Sequence, residues 1–211
     1  EYTEDIYVGY RYFETIPGAD KKVVYPFGYG LSYTEFAWEN ESVYVTGDSV
    51  LEQEVHVMAD VVNMGAYAGK EVVQVYYGAP QGVLGKPAKE LITFAKTRKL
   101  LPGERQRMHL SFKVKDMASY DDTGKVQKSA WLLEAGSYQV YAGTSVREIK
   151  CSKEIFCLEN TVITEQLSEK LKPFALKERM KSDGSMEAME TFAKEENECI
   201  FRRLTYDEAE G

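Results

Sequence analysis

Apolar and polar residues alternate with a period of two through the middle of this chain, which is typical of β-strands with one buried face. The alternation is clearest in residues 54–62, where Val55, Val57, Ala59 and Val61 would share one face of a strand. Turn residues such as Gly, Pro and Asp separate the segments of this kind. The pattern predicts nine short strands, at 34–38, 42–46, 54–62, 71–77, 89–99, 108–114, 131–133, 138–142 and 148–158.

The segments between the predicted strands decide the fold class. None of them contains an amphipathic stretch of about 10–15 residues, which a fold with alternating strands and helices would need. Short strands joined by regular turns are typical of a two-sheet antiparallel sandwich. We therefore predict an all-β fold, an immunoglobulin-like antiparallel β-sandwich over residues 34–158.

A connector rich in aromatic residues precedes the predicted sandwich. Within 25–34, Gly28 and Gly30 permit positive φ, and apolar residues stand at every second position. This pattern suits an extended segment pinned onto a surface, so we place a domain junction within residues 1–33. The tyrosine-rich stretch around Arg11 fits neither the helical nor the strand period. Its aromatic rings could line a sugar site or pack between domains.

The last part of the chain, residues 159–211, changes to a helical pattern. Leu167 and Leu171 are four residues apart, and Ser185 is a suitable N-cap for a second helix. The apolar residues that follow Ser185 have helical spacing: Met186, Met189, Phe192, Ala193, Ile200, Phe201 and Leu204. We predict a helical tail that lies against the sandwich or another domain. The chain therefore divides into three parts, 1–33, 34–158 and 159–211.

Composition and charge exclude two classes of partner. The net charge of −8 and a pI near 5.0 argue against nucleic acid, because phosphate binding needs clustered Lys and Arg. No run of about 18 apolar residues is present, so we predict no membrane partner. The cysteines, Cys151, Cys157 and Cys199, are odd in number, which favours free thiols and a reducing compartment. We predict a cytoplasmic rather than a secreted protein, and we expect the chain to be cut from a longer one.

Residues that could carry catalysis or bind a metal are sparse. The two histidines, His56 and His109, lie in different predicted strands with no cysteine pair nearby, so we propose neither a zinc site nor a catalytic base. Neither a P-loop nor a dinucleotide-binding glycine motif is present. The acidic pair Asp121-Asp122 beside Tyr120 is typical of a solvated turn. We assign no catalytic, substrate-binding or metal-binding residue and no cofactor.

Several motifs follow one another in an order that resembles a known family. They are 7–13 (YVGYRYF), 26–33 (PFGYGLSY), 61–65 (VVNMG), 68–76 (AGKEVVQVY), 87–94 (PAKELITF), 101–104 (LPGE), Tyr120-Asp121 with Trp131, 134–138 (EAGSY) and 143–149 (GTSVREI). Over about residues 5–150 the chain resembles family 3 glycoside hydrolases, at the end of their α/β sandwich domain and in their fibronectin type III-like domain. The resemblance therefore implies a fibronectin type III-like β-sandwich.

The resemblance also implies a function. Such enzymes are retaining β-glycosidases, most often β-glucosidases that hydrolyse terminal β-D-glucosidic bonds, with β-xylosidases as relatives. They use an aspartate nucleophile on a (β/α)8 barrel and an acid/base carboxylate on the α/β sandwich domain, about 5 Å apart. Neither catalytic motif is present here, so the resemblance implies an inactive structural part. Its partners would be the remaining catalytic domains and, through them, an oligosaccharide or glycoside. Because over 50 residues follow the sandwich, a barrel placed after the tail is our preferred domain order.

A free-standing carbohydrate- or protein-binding module is the alternative function. It predicts exposed aromatic residues on one sheet or loop rim, with Tyr76, Tyr120 and Trp131 as candidates. A structural part predicts instead an apolar patch where other domains would pack. That patch would contain Tyr10, Tyr12, Phe27 and Tyr29.

Overall fold

The computed structural model describes residues 3–168 and 176–189, and its main feature is a pair of antiparallel sheets packed face to face. The first sheet contains Phe36–Thr46 (β1), Glu54–Asn63 (β2) and Arg105–Lys113 (β5), in the order β1-β2-β5. The second sheet contains Val72–Gly78 (β3), Glu90–Lys96 (β4), Gly136–Gly143 (β8) and Ile149–Leu158 (β9), in the order β4-β3-β8-β9. These sheets confirm the predicted antiparallel sandwich.

The two sheets bury a shared apolar core. On β2, Val55, Val57 and Val61 are at most 1% exposed, as the alternation predicts. The second sheet contributes Val75 and Val140, which are fully buried. Each such side chain stabilises the fold by about 1.5–3 kcal/mol when it leaves water. The alternation makes one face of each strand apolar, and the opposite sheet buries that face. The pattern therefore favours a sandwich.

The first strand differs from its prediction. The sequence predicts two strands separated by polar residues, whereas β1 runs without interruption through Asn40. The pairing register with β2 shifts between Glu39 and Ser42, and Asn40 has φ = 52°. A β-bulge thus accommodates the polar residues within one strand, because an extra residue can bend a strand without ending it.

The N-terminal segment contains a short helix and a helical turn. The helix α1 spans Tyr10–Phe13, and a 3₁₀ turn spans Ala19–Lys22. The Arg147 guanidinium holds this segment to the sandwich, with Nη2 lying 2.8 Å from Oε1 of Glu14. The same nitrogen donates a hydrogen bond to the backbone oxygen of Asp20. The segment is therefore attached to the sandwich at both helical turns.

This attachment explains why β3 is buried on both faces. Gln74 and Tyr76 point away from the core, yet they are 6% and 0% exposed. The Tyr10 ring lies edge-on to Tyr76 at 6.3 Å and stacks on Phe27 at 4.3 Å. The Tyr10 hydroxyl also accepts a hydrogen bond from the backbone N–H of Leu91 at 2.9 Å. The N-terminal segment thus covers the outer face of β3.

A smaller sheet corrects two predictions. It contains Ser119–Asp121 (β6), Ala130–Leu133 (β7) and Val162–Gln166 (β10), in the order β10-β7-β6. The sequence predicts β7, but it predicts a polar turn in place of β6 and a helical tail in place of β10. Both predictions are wrong here because β7 offers unpaired backbone groups on each edge, and pairing with them outweighs local propensity.

The predicted helix after Ser185 is also wrong where the structure describes it. Glu178–Met180 (β11) and Met186–Ala188 (β12) pair as an antiparallel hairpin. The rest of the predicted tail, with its apolar residues from 192 onward, lies outside the described residues. The division at 33 and 158 stays a prediction. Within 3–168 and 176–189, no helix has both the length and the apolar character that a membrane span requires.

Candidate functional site

A partly exposed aromatic pair lies on the small sheet. Tyr120 on β6 pairs directly with Trp131 on β7, because the two strands are in antiparallel register there. Their ring centroids are 5.4 Å apart at an interplanar angle of 48°. Trp131 is 39% exposed, so part of its indole faces solvent. A partly exposed indole of this kind is a suitable stacking surface for a planar or sugar ring.

Two adjoining cavities meet at Trp131. The first has a volume of about 480 Å³ and is bounded by the N-terminal segment, β4, β6 and the hairpin. The second lies between the 3₁₀ turn Val114–Met117 and β10. Both are lined by Asp116, Ala118 and Trp131, and we call the pair of cavities the Trp131 groove.

Charged residues on the rim of the Trp131 groove are paired with one another. Arg179 donates to both carboxylate oxygens of Asp122, and its Nε lies 3.1 Å from Oδ2 of Asp5. Arg11 Nε lies 2.9 Å from Oε1 of Glu90. Burial raises the pKa of the Asp5 carboxyl, although Arg179 opposes this shift. These carboxylates therefore serve as ion-pair partners of arginine.

The hydroxyl of Tyr120 is buried and makes no hydrogen bond to any residue that the structure describes. A buried hydroxyl without a partner costs free energy, about 1–3 kcal/mol. Its free hydrogen-bonding capacity lies beside the exposed indole of Trp131. The groove thus combines an apolar stacking face with an available polar group.

Asp121 corrects the prediction of a solvated turn. Its side chain is fully buried, and its two oxygens accept four backbone hydrogen bonds from the loop that follows. The donors are the N–H groups of Gly124, Lys125, Val126 and Gln127. Burial raises the pKa of this carboxyl, but the four donors together outweigh burial and lower the pKa overall. Asp121 is therefore an ionised anchor for the 122–128 loop.

The structure separates the aromatic residues that the sequence grouped. Tyr76 is buried, so it is no candidate for an exposed binding surface. Tyr10 and Tyr12 are half-buried against the sandwich. Phe27 and Tyr29 are exposed, as predicted, together with their neighbours in the connector. We call this set the connector patch: Val24, Tyr25, Phe27, Tyr29, Leu31 and Tyr33.

The two histidines, far apart in sequence, meet on the outer face of the first sheet. Nδ1 of His56 lies 3.1 Å from Nε2 of His109. Sequence reasoning missed this contact because 53 residues separate them. Their outward positions on neighbouring strands were the available signal. Among the described residues, no group of three or more His, Cys, Asp and Glu side chains is arranged to hold a metal ion.

Asn63, in the motif at 61–65, has a structural role. Asn63 is fully buried at the end of β2, and its amide donates to the carbonyls of Tyr67 and Leu100 at 2.7 and 2.9 Å. Its side-chain oxygen accepts from the hydroxyl of Thr34 and the N–H of Gly65. An asparagine here satisfies four polar groups at once, so this motif holds three loops together.

Comparisons with known proteins agree with this architecture. Residues 71–146 match the fibronectin type III-like domain. The chain is 53% identical over 199 residues, 90% of its length, to β-glucosidase A of Butyrivibrio fibrisolvens. It also superposes on a solved β-glucosidase from Paenibacillus barengoltzii with a TM-score of 0.78, 43% identity and 96% coverage.

A GH3 β-glucosidase from Bifidobacterium adolescentis is a further structural match, with a TM-score of 0.63, 35% identity and 74% coverage of this chain. The chain spans only 24%, 23% and 21% of these three proteins, in the order given. The similarity therefore concerns one part of much longer proteins.

Proposed function

Because the chain belongs to the family 3 glycoside hydrolases of the β-glucosidase type and contains their fibronectin type III-like domain, we propose that it is a non-catalytic structural part of a retaining β-glucosidase. In this role it braces the catalytic domains, which hydrolyse terminal β-D-glucosidic bonds in oligosaccharides or glycosides. A β-xylosidase is the alternative for the whole protein.

The observation that carries this proposal is the connector patch. Leu31 and Tyr33 are 89% and 97% exposed, although the same segment is fixed to the sandwich at Phe27. There the backbone oxygen of Phe27 accepts a hydrogen bond from Val146 N at 3.0 Å. A fixed segment that presents adjacent apolar side chains to water is typical of a packing surface. The matching proteins are about four times longer, so their additional domains are the natural occupants.

The carboxylates of the Trp131 groove support a non-catalytic role. Retaining hydrolysis needs two carboxyl groups about 5 Å apart across the sugar, one of them available as an acid. Asp5 and Asp122 both bind Arg179, and Glu90 binds Arg11. Ion pairing of this kind occupies the carboxylate oxygens that a substrate would need.

The test is hydrolysis of p-nitrophenyl β-glucoside by this chain, by the remainder of the longer protein, and by the two mixed. We expect activity in the mixture alone, and the corresponding β-xyloside distinguishes a xylosidase. The double variant Leu31→Ser with Tyr33→Ser should raise the concentration of this chain that the remainder needs for half-maximal activity. Leu51→Ser, at the opposite end of β1, is the matched control. Activity of this chain alone would refute the proposal.

A carbohydrate-binding module is the second candidate, and the Trp131 groove favours it. Exposed Trp131 supplies a stacking face, and the buried hydroxyl of Tyr120 supplies a hydrogen-bonding group. The neighbouring cavity of about 480 Å³ has room for a small sugar. In this role the chain would hold an oligosaccharide near the catalytic domains.

Titration calorimetry with β-linked gluco-oligosaccharides tests this second role. Trp131→Ala should abolish the heat of binding, whereas Phe94→Ala, at a more exposed aromatic residue on β4, should leave it unchanged. If the unaltered chain does not bind these oligosaccharides, the binding role is refuted and only the structural role remains.

A cytoplasmic location also stays a proposal, supported by Cys151 and Cys157, which form no disulfide.

A further inference from the structure

We propose that His56 and His109 form a binding site for a divalent transition-metal ion on the outer face of the first sheet. This site is independent of the glycosidase role, because it lies on the sheet formed by β1, β2 and β5. Three observations support it: the position of the two imidazoles, the contacts that fix the ring of His56, and the exposure of His109.

Strand pairing places the two histidines side by side. His56 is opposite Ser111 and His109 is opposite Met58, so the histidines are diagonal neighbours across β2 and β5. Both face away from the core, since Val57 and Leu110 between them point inward. Their ring centroids are 5.3 Å apart. Diagonal positions on one sheet face are within reach of long side chains.

The separation of the two nitrogens suits a single ion. Nδ1 of His56 and Nε2 of His109 are 3.1 Å apart. Two imidazole nitrogens bound to one ion at about 2.0–2.1 Å subtend an angle of about 98° at that separation. This angle lies between the square-planar and tetrahedral values. Both lone pairs point at the ion once the exposed His109 ring rotates and the His56 ring tilts away from the line that joins the two nitrogens.

Neighbouring residues fix the ring of His56 and its tautomer. Oγ1 of Thr46 lies 2.8 Å from Nε2 of His56. When Nε2 carries the proton and donates it to Thr46, Nδ1 presents its lone pair towards His109. The Tyr44 ring stacks on the imidazole with centroids 4.9 Å apart and an interplanar angle of 22°. Such outer contacts orient metal-binding histidines and strengthen binding.

The donor set indicates which ion binds. Imidazole ligands suit Cu²⁺, Ni²⁺ and Zn²⁺, whereas Mg²⁺ and Ca²⁺ require several oxygen ligands. With two protein ligands, water completes the coordination, and the general order of affinities places Cu²⁺ first. When the ion binds, the His109 proton moves from Nε2 to Nδ1 through solvent, so neutral histidines release no net proton.

The test is titration of the full 211-residue chain with Cu²⁺, followed by calorimetry and electron paramagnetic resonance. All three cysteines are replaced by serine (Cys151→Ser, Cys157→Ser, Cys199→Ser), because thiolates also bind copper. We expect one ion per chain, a spectrum with hyperfine splitting from two nitrogens, and a Tm that rises with Cu²⁺.

Variants assign the binding to these residues. His56→Gln and His109→Gln should each weaken Cu²⁺ binding by at least about 100-fold and leave the metal-free Tm unchanged. Thr46→Val should weaken binding by about 10-fold, as expected for an outer contact. Ser111→Ala, on the same face, is the matched control and should bind as the parent does. Unchanged affinity in both histidine variants, or a spectrum with a single nitrogen, would overturn the proposal.

Discussion

Gly28 shows how one residue holds the connector to the sandwich. Its φ is 82°, and a Cβ at this position would lie 2.1 Å from the side-chain oxygen of Gln74. The amide of Gln74 instead donates to the backbone oxygens of Gly28 and Thr144 at 3.2 and 2.6 Å. This close approach of backbone and amide requires a glycine.

We expect Gly28→Ala to lower the free energy of unfolding by about 1–3 kcal/mol, through backbone strain and the displaced Gln74 amide. Urea denaturation measures this change. Gly30→Ala is the matched control, because Gly30 has open space around it and should change stability little. Equal stability of the two variants would contradict the role of Gly28.

Lys86 and Glu134 form a buried ion pair, with side chains 2% and 5% exposed. Glu134 also accepts a hydrogen bond from the N–H of Val83 at 2.8 Å. Lys86→Ala leaves the Glu134 carboxylate buried without its cation, so we expect a loss of about 3–5 kcal/mol in urea denaturation. The double replacement Lys86→Met with Glu134→Leu should recover most of that loss.

Asp121 makes stability depend on pH at the acidic end. Its pKa is lower in the folded chain than in the unfolded chain, so its contribution is complete above the unfolded pKa of about 3.9. The contribution is lost as pH falls from that value through the folded pKa. Asp121→Asn should be less stable at pH 7, on the order of 2–4 kcal/mol. Between about pH 4 and pH 2, the free energy of unfolding of the Asp121→Asn variant should fall less than that of the parent.

At the scale of elements, the tail differs from its prediction because its partners are distant in sequence. β10 pairs with β7, and Leu167 N donates to the backbone oxygen of Ser129 at 2.8 Å. The hairpin β11-β12 is tied to the N-terminal segment, where Met180 N donates to the oxygen of Thr3 at 2.8 Å. Local helical spacing carries no information about these contacts.

Arg179 is the side chain that joins the hairpin to both Asp122 and Asp5. We expect Arg179→Ala to release the hairpin, and subtilisin should cleave within 177–189 about 10-fold faster. The midpoint of global urea denaturation should change little, because the core lies elsewhere. Lys181→Ala, in the same hairpin just after β11, is the control, and equal cleavage rates for the two variants would contradict this assignment.

At the scale of the whole molecule, the connector patch gathers six exposed apolar side chains in one short segment of an acidic chain. We expect the isolated chain to self-associate through this patch at high concentration, because exposed apolar patches favour association. Sedimentation velocity measures this, and Leu31→Ser with Tyr33→Ser should shift the chain towards monomer. Leu51→Ser should leave association unchanged. A parent chain that stays monomeric at all concentrations would contradict the prediction.

The sequence by itself determined the sandwich. The alternation at Val55, Val57 and Val61 is local, and one buried face per strand leaves few alternatives to two packed sheets. The ordered motifs likewise indicated the family and its fibronectin type III-like domain, which the comparison matches over residues 71–146. These features are readable because each depends on neighbouring residues along the chain.

Only the tertiary structure decided which distant residues meet. The contact of His56 with His109, the burial of Asp121 and the exposure of Trp131 depend on strand register and on which segment covers which face. Strand β10 replaced a predicted helix because an open edge of β7 was available. Pairing across many residues is set by packing of the whole chain, so local spacing cannot specify it.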